Sequence, residues 1–370
     1  MSKYKKIEFD ALRDNLGATG GPGGVLYIQQ QLLGDELCGL PTSYRFNFIK
    51  TRNVKYSSLR RVLNMALYYV HFFFQRNIYY IAHDVETGSI LALLHKKYSL
   101  IFHHQGSVVL ERTELAGHVL SNRIIKYHQS VERRALSHAV SLHFPSNGAA
   151  EMYFNSDYAT CCKEDVNLGM PLYNVILQSP VNEPEDFPLR PEHDTLTMFS
   201  LGTLTKAKGQ DQTVEFLSEL LPYYPKPIRY IMVGSGPLKD QLIQKLDNLN
   251  ANYKNFTYHY FERLGHDEVM YVHKISDVYI MLHRVSIFDF ATLEAMSQRS
   301  AVILSNVGGN PEYNRDNNIL FAEDIVKDFD SFANCDIDSL KDKNLDVFDK
   351  YFSKEAFKAQ YELLLSSVTK

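Results

Sequence analysis

From Thr195 to Ser305 the chain alternates short apolar runs with amphipathic helical patterns, and this rhythm restricts its fold more than any other feature. Runs at Thr195–Leu201, Arg229–Val233, Phe256–Phe261, Val278–Leu282 and Ala301–Ser305 are separated by helical patterns at Gln212–Leu221, Leu238–Leu249, Asp267–Ile275 and Thr292–Gln298. Each strand must return through a helix, which predicts an α/β domain with a parallel sheet covered on both faces.

The first half has the same rhythm in a noisier form. Ile7–Phe9 reads as a strand, a glycine loop follows, a helix is expected over Val25–Leu37, and Ile78–Ala82 and Leu100–His103 read as later strands. Ser179–His193, with Pro180, Pro184, Pro188 and Pro191, reads as a linker. A chain of 370 residues exceeds one ordinary core, so the expected division is 1–180 and 181–350.

Charge is uneven. Residues 1–180 carry 19 Lys/Arg against 14 Asp/Glu, while 181–370 carry 20 against 29. A basic half suits contact with anionic lipid or phosphate, although an imbalance of this size also arises with no partner behind it. Val62–Phe74 is the most hydrophobic run, at 13 residues, short of the ~18 that span a bilayer. A buried helix is the simpler reading, and an interfacial segment bracketed by Arg60, Arg61 and Arg76 is the alternative. Cys38, Cys161, Cys162 and Cys335 lack metal-ligand spacing, and the N-terminus has no apolar signal core. Reduced thiols in the cytoplasm are therefore expected.

Several motifs carry candidate chemistry. Thr19-Gly20-Gly21-Pro22-Gly23-Gly24 precedes a helix, where glycines let backbone N–H groups approach a phosphate; a flexible turn would look the same. His104, with His103 as its neighbour, closes an apolar strand and offers an imidazole that can donate to or accept from a ligand; a structural histidine is the bland alternative. Gly202, Thr203, Lys208 and Gly209 follow the first strand of the second half. Val233-Gly234-Ser235-Gly236-Pro237 closes the next, with Pro237 placed to open a helix.

Met281–Ile303, MLHRVSIFDFATLEAMSQRSAVI, together with these turns and with Val307–Glu312, resembles the retaining glycosyltransferases of the GT-B fold, in particular the family 4 group (glycosyl transferases group 1). The resemblance implies two doubly wound, Rossmann-like domains facing across a cleft, with a final helix, 351–370, crossing back to the first domain. It implies a nucleotide diphosphate sugar as donor, no cofactor or metal, and sugar transfer with retention by a front-face route. Glu294 then falls on the glutamate that holds the nucleotide ribose, and Lys208 on the lysine that neutralises the departing diphosphate. His104 matches the active-site histidine. Gly20, Gly21, Gly23, Gly24, Gly202, Gly209, Gly234 and Gly236 line the donor, and Phe261–His266 meets its base.

The sequence departs from the family pattern at three places. Ser286 stands where the first glutamate is expected and cannot supply its charge; Thr203 stands in place of an arginine. Phe288, Asp289 and Phe290 replace a small, glycine-rich loop, and Asp289 is an awkward neighbour for a diphosphate unless it binds a sugar hydroxyl. Arg284 and Lys206 are the candidate substitutes for the missing cation. The expected function is transfer of a sugar to a growing, lipid-linked bacterial surface glycan at the inner face of the plasma membrane, with peripheral contact to anionic lipid and no nucleic-acid partner. The competing expectations are a degenerate, non-catalytic partner of another transferase and, more remotely, a sugar-nucleotide epimerase.

Overall fold

The computed structural model describes residues 3–12, 21–46, 48–49, 57–178 and 180–369. The chain divides into two units, one formed by residues 1–177 and 354–370, the other by 178–353. The boundaries expected from the sequence were 180 and 350.

In the first unit β1 (Lys6–Ala11) is followed by α1 (Gly21–Leu33), β2 (Glu36–Leu37), β3 (Leu40–Phe46), α2 (Ser57–Phe74), β4 (Ile78–Ala82), α3 (Val85–Leu93), β5 (Tyr98–Ile101), α4 (Val108–Ala116), α5 (Asn122–Ser137), β6 (Ser141–His143) and α6 (Asn147–Phe154). The sheet runs β2-β3-β1-β4-β5-β6, with every pairing parallel except β2 with β3. The helix expected over Val25–Leu37 stops at Leu33. Gly34 turns the chain with φ +67°, and Glu36–Leu37 pairs back on Leu40–Pro41. Thr19 and Gly20 lie outside the described residues, and Gly21–Gly24 form the first turn of α1.

The second unit contains β7 (Leu196–Leu201), α7 (Gln210–Leu220), β8 (Ile228–Val233), α8 (Lys239–Asn252), β9 (Phe256–Phe261), α9 (His266–Ile275), β10 (Val278–Met281), α10 (Phe290–Ser297), β11 (Ala301–Leu304), β12 (Ile319–Phe321), α11 (Ala322–Ile325), α12 (Phe329–Ala333) and α13 (Ile337–Tyr351). Its order, β12-β11-β10-β7-β8-β9, is the Rossmann order, reversing between β7 and β10. Strands β8, β10 and β11 are buried along their whole length, as parallel strands covered on both faces must be. Each fully buried Leu or Ile there contributes roughly 2 kcal/mol. Arg229, within β8, is tolerated because Thr197 Oγ1, the Arg190 carbonyl and Glu192 accept from its guanidinium, tying the proline-rich segment to the sheet.

The last helix, α14 (Lys354–Thr369), belongs to the first unit. The Tyr361 ring lies tilted against Phe9, centroids 6.0 Å apart, and its hydroxyl pairs with Gln29; Gln360 accepts from the Tyr173 amide at 3.1 Å.

Helix α2 is inside out, which overturns the reading of Val62–Phe74 as a buried apolar helix. Its inner face is polar and aromatic. Asn64 accepts from the Ile49 amide and donates to the Ile49 carbonyl, Tyr68 donates to the Ala11 carbonyl at 3.0 Å, His71 meets Glu8 at 2.7 Å, and Arg61 pairs with Glu86. Leu59, Val62, Leu63, Leu67, Val70, Phe73 and Phe74 form the exposed face, with Phe74 at 74% exposure. Their spacing of three and four places them on one stripe.

Glu8 is the hub of the inner face. Burial alone would raise its carboxyl, but hydrogen bonds and charge from His71 and Arg45 hold it down to about 2. A carboxylate with a depressed folded pKa stabilises above its unfolded value, here 4.5, and loses that contribution as pH falls toward 2. Glu8→Gln should therefore cost on the order of 2 kcal/mol at pH 7. Urea unfolding at a series of pH values should show the gap to the parent narrowing below pH ~4.5.

Candidate active site

In a sheet of this order, ligands bind outside the carboxyl ends of the two strands that flank the reversal. Those strands are β7 and β10, so the loops 202–209 and 282–289 build the site. The two loops touch through their backbones: the amide of Arg284 donates to the Ala207 carbonyl at 2.9 Å. Gly209 makes this possible. It caps α7 with φ +74°, and a Cβ there would collide with the Leu282 carbonyl. Gly234, with φ +147°, has the same role one strand over, where a Cβ would strike the Gly202 carbonyl. These glycines are required by close backbone approach whether or not a ligand is present. Gly202 and Gly236 sit in the same layer, and Leu204 donates to the Ser235 carbonyl at 2.9 Å between them.

Lys208 projects from the first loop and meets Asp289 of the second, Nζ to Oδ1, at 2.7 Å. Asp289 is the residue before α10, and the Ala291 amide of that helix helps keep its carboxylate ionised. Burial would raise its pKa, yet Lys208 and His283 keep it below the ordinary aspartate value. His283, at the end of β10, is buried with both ring nitrogens unpartnered, and burial lowers its pKa to about 4. Its Nε2 stands 3.9 Å from Asp289 Oδ1. Ser286 is also buried, and its hydroxyl has no partner.

The candidate replacement cations are committed elsewhere. Arg284 makes a two-pronged pair with Asp211, at 2.7 and 3.0 Å, and Lys206 reaches the same carboxylate at 2.6 Å. Burial opposes ionisation of Asp211, but these two cations hold it to about 2. Thr203 is exposed and uncharged. Among these three cations, Lys208 is the one whose side chain meets the loop before α10 at Asp289.

Glu294 lies one turn into α10, with His273 Nε2 3.8 Å from its carboxyl. Burial, reinforced by the Asp289 carboxylate, pushes its pKa up to about 8. His273 is fully buried, with both nitrogens unpartnered, and burial pulls it to about 3. The loop before α10 is pinned from the other side. Gly309 donates to the Ser286 carbonyl at 2.9 Å and Tyr313 to the Asp289 carbonyl at 2.8 Å. Phe288, at φ +148°, is stacked on Tyr313 with centroids 4.1 Å apart. Phe290 is half-buried at the first position of α10.

In the first unit the structure separates the two histidine candidates. His104 is buried and pairs with Glu111 of α4, Nδ1 to Oε2, at 2.6 Å. His103 instead stacks on His83, with Nε2 3.0 Å from His83 Nδ1. Burial lowers the pKa of both members of that pair, His103 to about 3, so a neutral donor meets a neutral acceptor. Asp84 caps α3 through the Thr87 amide and also accepts from Leu12 at 2.6 Å. Gly21, Gly23 and Gly24 open α1, where the helix N-terminus favours an anion. His273 was not singled out in the sequence; an isolated histidine in an apolar run carries no signal of its own.

The raised Glu294 carboxyl makes a measurable prediction. A group whose proton is held more tightly in the folded state stabilises fully below its unfolded pKa, 4.5, and loses that contribution as pH rises through about 8. Glu294→Gln should thus melt close to the parent at pH 4.5 and increasingly above it as pH rises to 8, levelling beyond. Calorimetric melting at fixed ionic strength reads this directly.

Comparison with known proteins agrees with this architecture. Residues 181–355 match the family model for glycosyl transferases group 1. A 138-residue stretch is 28% identical to a component of the phosphatidylinositol N-acetylglucosaminyltransferase of Arabidopsis thaliana, covering 36% of this chain and 29% of that protein, less than a third of its length. Sucrose-phosphate synthase from Thermosynechococcus elongatus shares the fold at a TM-score of 0.64 with 15% identity, covering 98% of this chain and 99% of that one. Anabaena Alr3699/HepE, solved with UDP and glucose, gives 0.64 and 13%, covering 98% of this chain and 100% of its own. With the motifs gathered at the strand reversal of its second sheet and the family model matching there, residues 181–355 are similar to glycosyl transferases group 1, and the chain has the GT-B fold.

Proposed function

We propose that the protein transfers a sugar from a nucleotide diphosphate sugar to a hydroxyl of a growing, lipid-linked bacterial surface glycan, with retention of configuration. The observation that carries this reading is the placement of Lys208 and Glu294 around one strand reversal. Lys208 would offset the charge that grows on the diphosphate as its bond to the sugar breaks, and the N-terminus of α10 would add partial positive charge. Glu294 would hold the ribose hydroxyls. In the front-face route the sugar–phosphate bond breaks and the sugar–acceptor bond forms on the same side. The acceptor proton passes to the departing phosphate oxygen. His104, oriented by Glu111, would bind a sugar hydroxyl. Anabaena Alr3699/HepE in complex with UDP and glucose, and the pneumococcal O-GlcNAc transferase GtfA with UDP and GlcNAc, support a donor of this class.

The reading is tested by nucleotide binding. Lys208→Ala and Glu294→Ala should each weaken calorimetric binding of the preferred one of UDP, GDP and ADP by at least ~1 kcal/mol, the scale of a hydrogen bond to a charged group. Unchanged affinity in both variants would remove the donor assignment.

The lipid-linked acceptor is supported by α2. None of the described helices is long and apolar enough to cross a membrane. The exposed stripe from Leu59 to Phe74, next to exposed Arg76, is suited to lying in an anionic interface. Sedimentation with anionic vesicles should show binding that weakens as salt rises and falls severalfold in Phe73→Ser/Phe74→Ser. A soluble acceptor becomes the better reading if the parent stays in the supernatant at low salt.

A non-catalytic, substrate-binding partner is the second reading, favoured by the uncharged Ser286 and Thr203 and by the commitment of Arg284 and Lys206 to Asp211. Slow hydrolysis of a nucleotide sugar by the purified protein separates the two, because it needs no acceptor.

A further inference from the structure

We infer that Asp289, with His283 beside it, recognises the transferred sugar of the donor, supplying from three residues further along the loop the negative charge that Ser286 lacks. This rests on the donor-site reading above. Asp289 stands where the resembling loops carry a small residue, so its carboxylate calls for a use. Its side chain is drawn to Lys208 and to the Ala291 amide at the start of α10, while Tyr313 binds its backbone carbonyl. One oxygen, Oδ1, is held by Lys208; the other, Oδ2, is buried without a partner.

An unsatisfied buried acceptor is costly, and here it is not alone. The two nitrogens of His283, 1% exposed, and the hydroxyl of buried Ser286 are also unpartnered. The His283 ring approaches Asp289 Oδ1 to 3.9 Å. A neutral imidazole offers one N–H and one lone pair, and Oδ2 offers only lone pairs. A phosphate cannot satisfy that set, because it would face a carboxylate. Neighbouring sugar hydroxyls can, since each both donates and accepts. Lys208 has three N–H donors, so it can keep one on Asp289 and turn others to a diphosphate. The pair thereby sets the sugar and the diphosphate on either side of one ammonium group.

The test compares each nucleotide with its sugar conjugate. Calorimetry would use UDP, GDP and ADP against UDP-glucose, UDP-GlcNAc, GDP-mannose and ADP-glucose. Asp289→Asn should bind the bare nucleotide as tightly as the parent or more tightly, because Lys208 is released. Its relative preference for the nucleotide sugar should fall at least tenfold, with hydrolysis falling alongside. Asp289→Gly and His283→Gln should shift the preference in the same direction, and any of the three that keeps a cooperative melt carries the test. An unchanged preference in the folded variants, with nucleotide binding intact, overturns this inference alone. A parent that binds no nucleotide overturns the donor-site reading and this one with it.

Discussion

The second unit depends on one contact, the seating of Gly209 against the carbonyl of Leu282. Parallel strands in Rossmann order send their loops apart at the reversal, and a crevice opens only if the two loops nearest it are braced. Here the brace is made of backbone: no side chain at 209 leaves room for the 282 peptide, and the Arg284 amide closes on Ala207. Lys208 is then fixed one residue before the left-handed Gly209 that opens α7, and Asp289 is carried to it across 81 residues of chain. The same constraint recurs at Gly234 beneath Gly202.

What the sequence made legible follows from how local the determining forces are. Strands β7, β8, β10 and β11 were readable because a parallel strand covered on both faces is apolar nearly throughout, β9 because its edge position still carries an aromatic run, and their helices follow the 3.6 period. Strands β12 and β2 were not, since two or three residues carry no periodicity, and β3, though seven residues long, mixes Pro41, Thr42, Ser43 and Arg45 into its run. Helix α2 misled for a related reason. Hydrophobic residues lie all round it, and what decides its orientation is Glu8 and Glu86, distant carboxylates that claim Arg61 and His71 for the inner face. The engagement of Arg284 by Asp211 was hidden likewise, because ion pairing between loops depends on register that only the folded sheet supplies.

Phe288 shows how a strained backbone is kept. A side chain at φ +148° costs about 1–3 kcal/mol relative to an ordinary conformation. Burial of the ring, its stacking on Tyr313 and its contact with Phe352 together exceed that cost. The aromatic cluster therefore fixes the path of the loop that a glycine-rich sequence would leave free, and with it the position of the Asp289 carbonyl under Tyr313.

The first unit is assembled from two separated stretches of chain, and this bears on how the protein emerges from the ribosome. Residues 178–353 intervene between α6 and the helix that completes the first unit. Phe357, Tyr361, Leu364 and Leu365 of α14 are buried in the finished protein, so a nascent chain displaying residues 1–177 lacks part of its own core while all of the second unit is being synthesised. At about 5–20 residues per second, that interval lasts on the order of 10–40 s. Vectorial folding thus runs out of sequence order: the unit translated first is the last that can close.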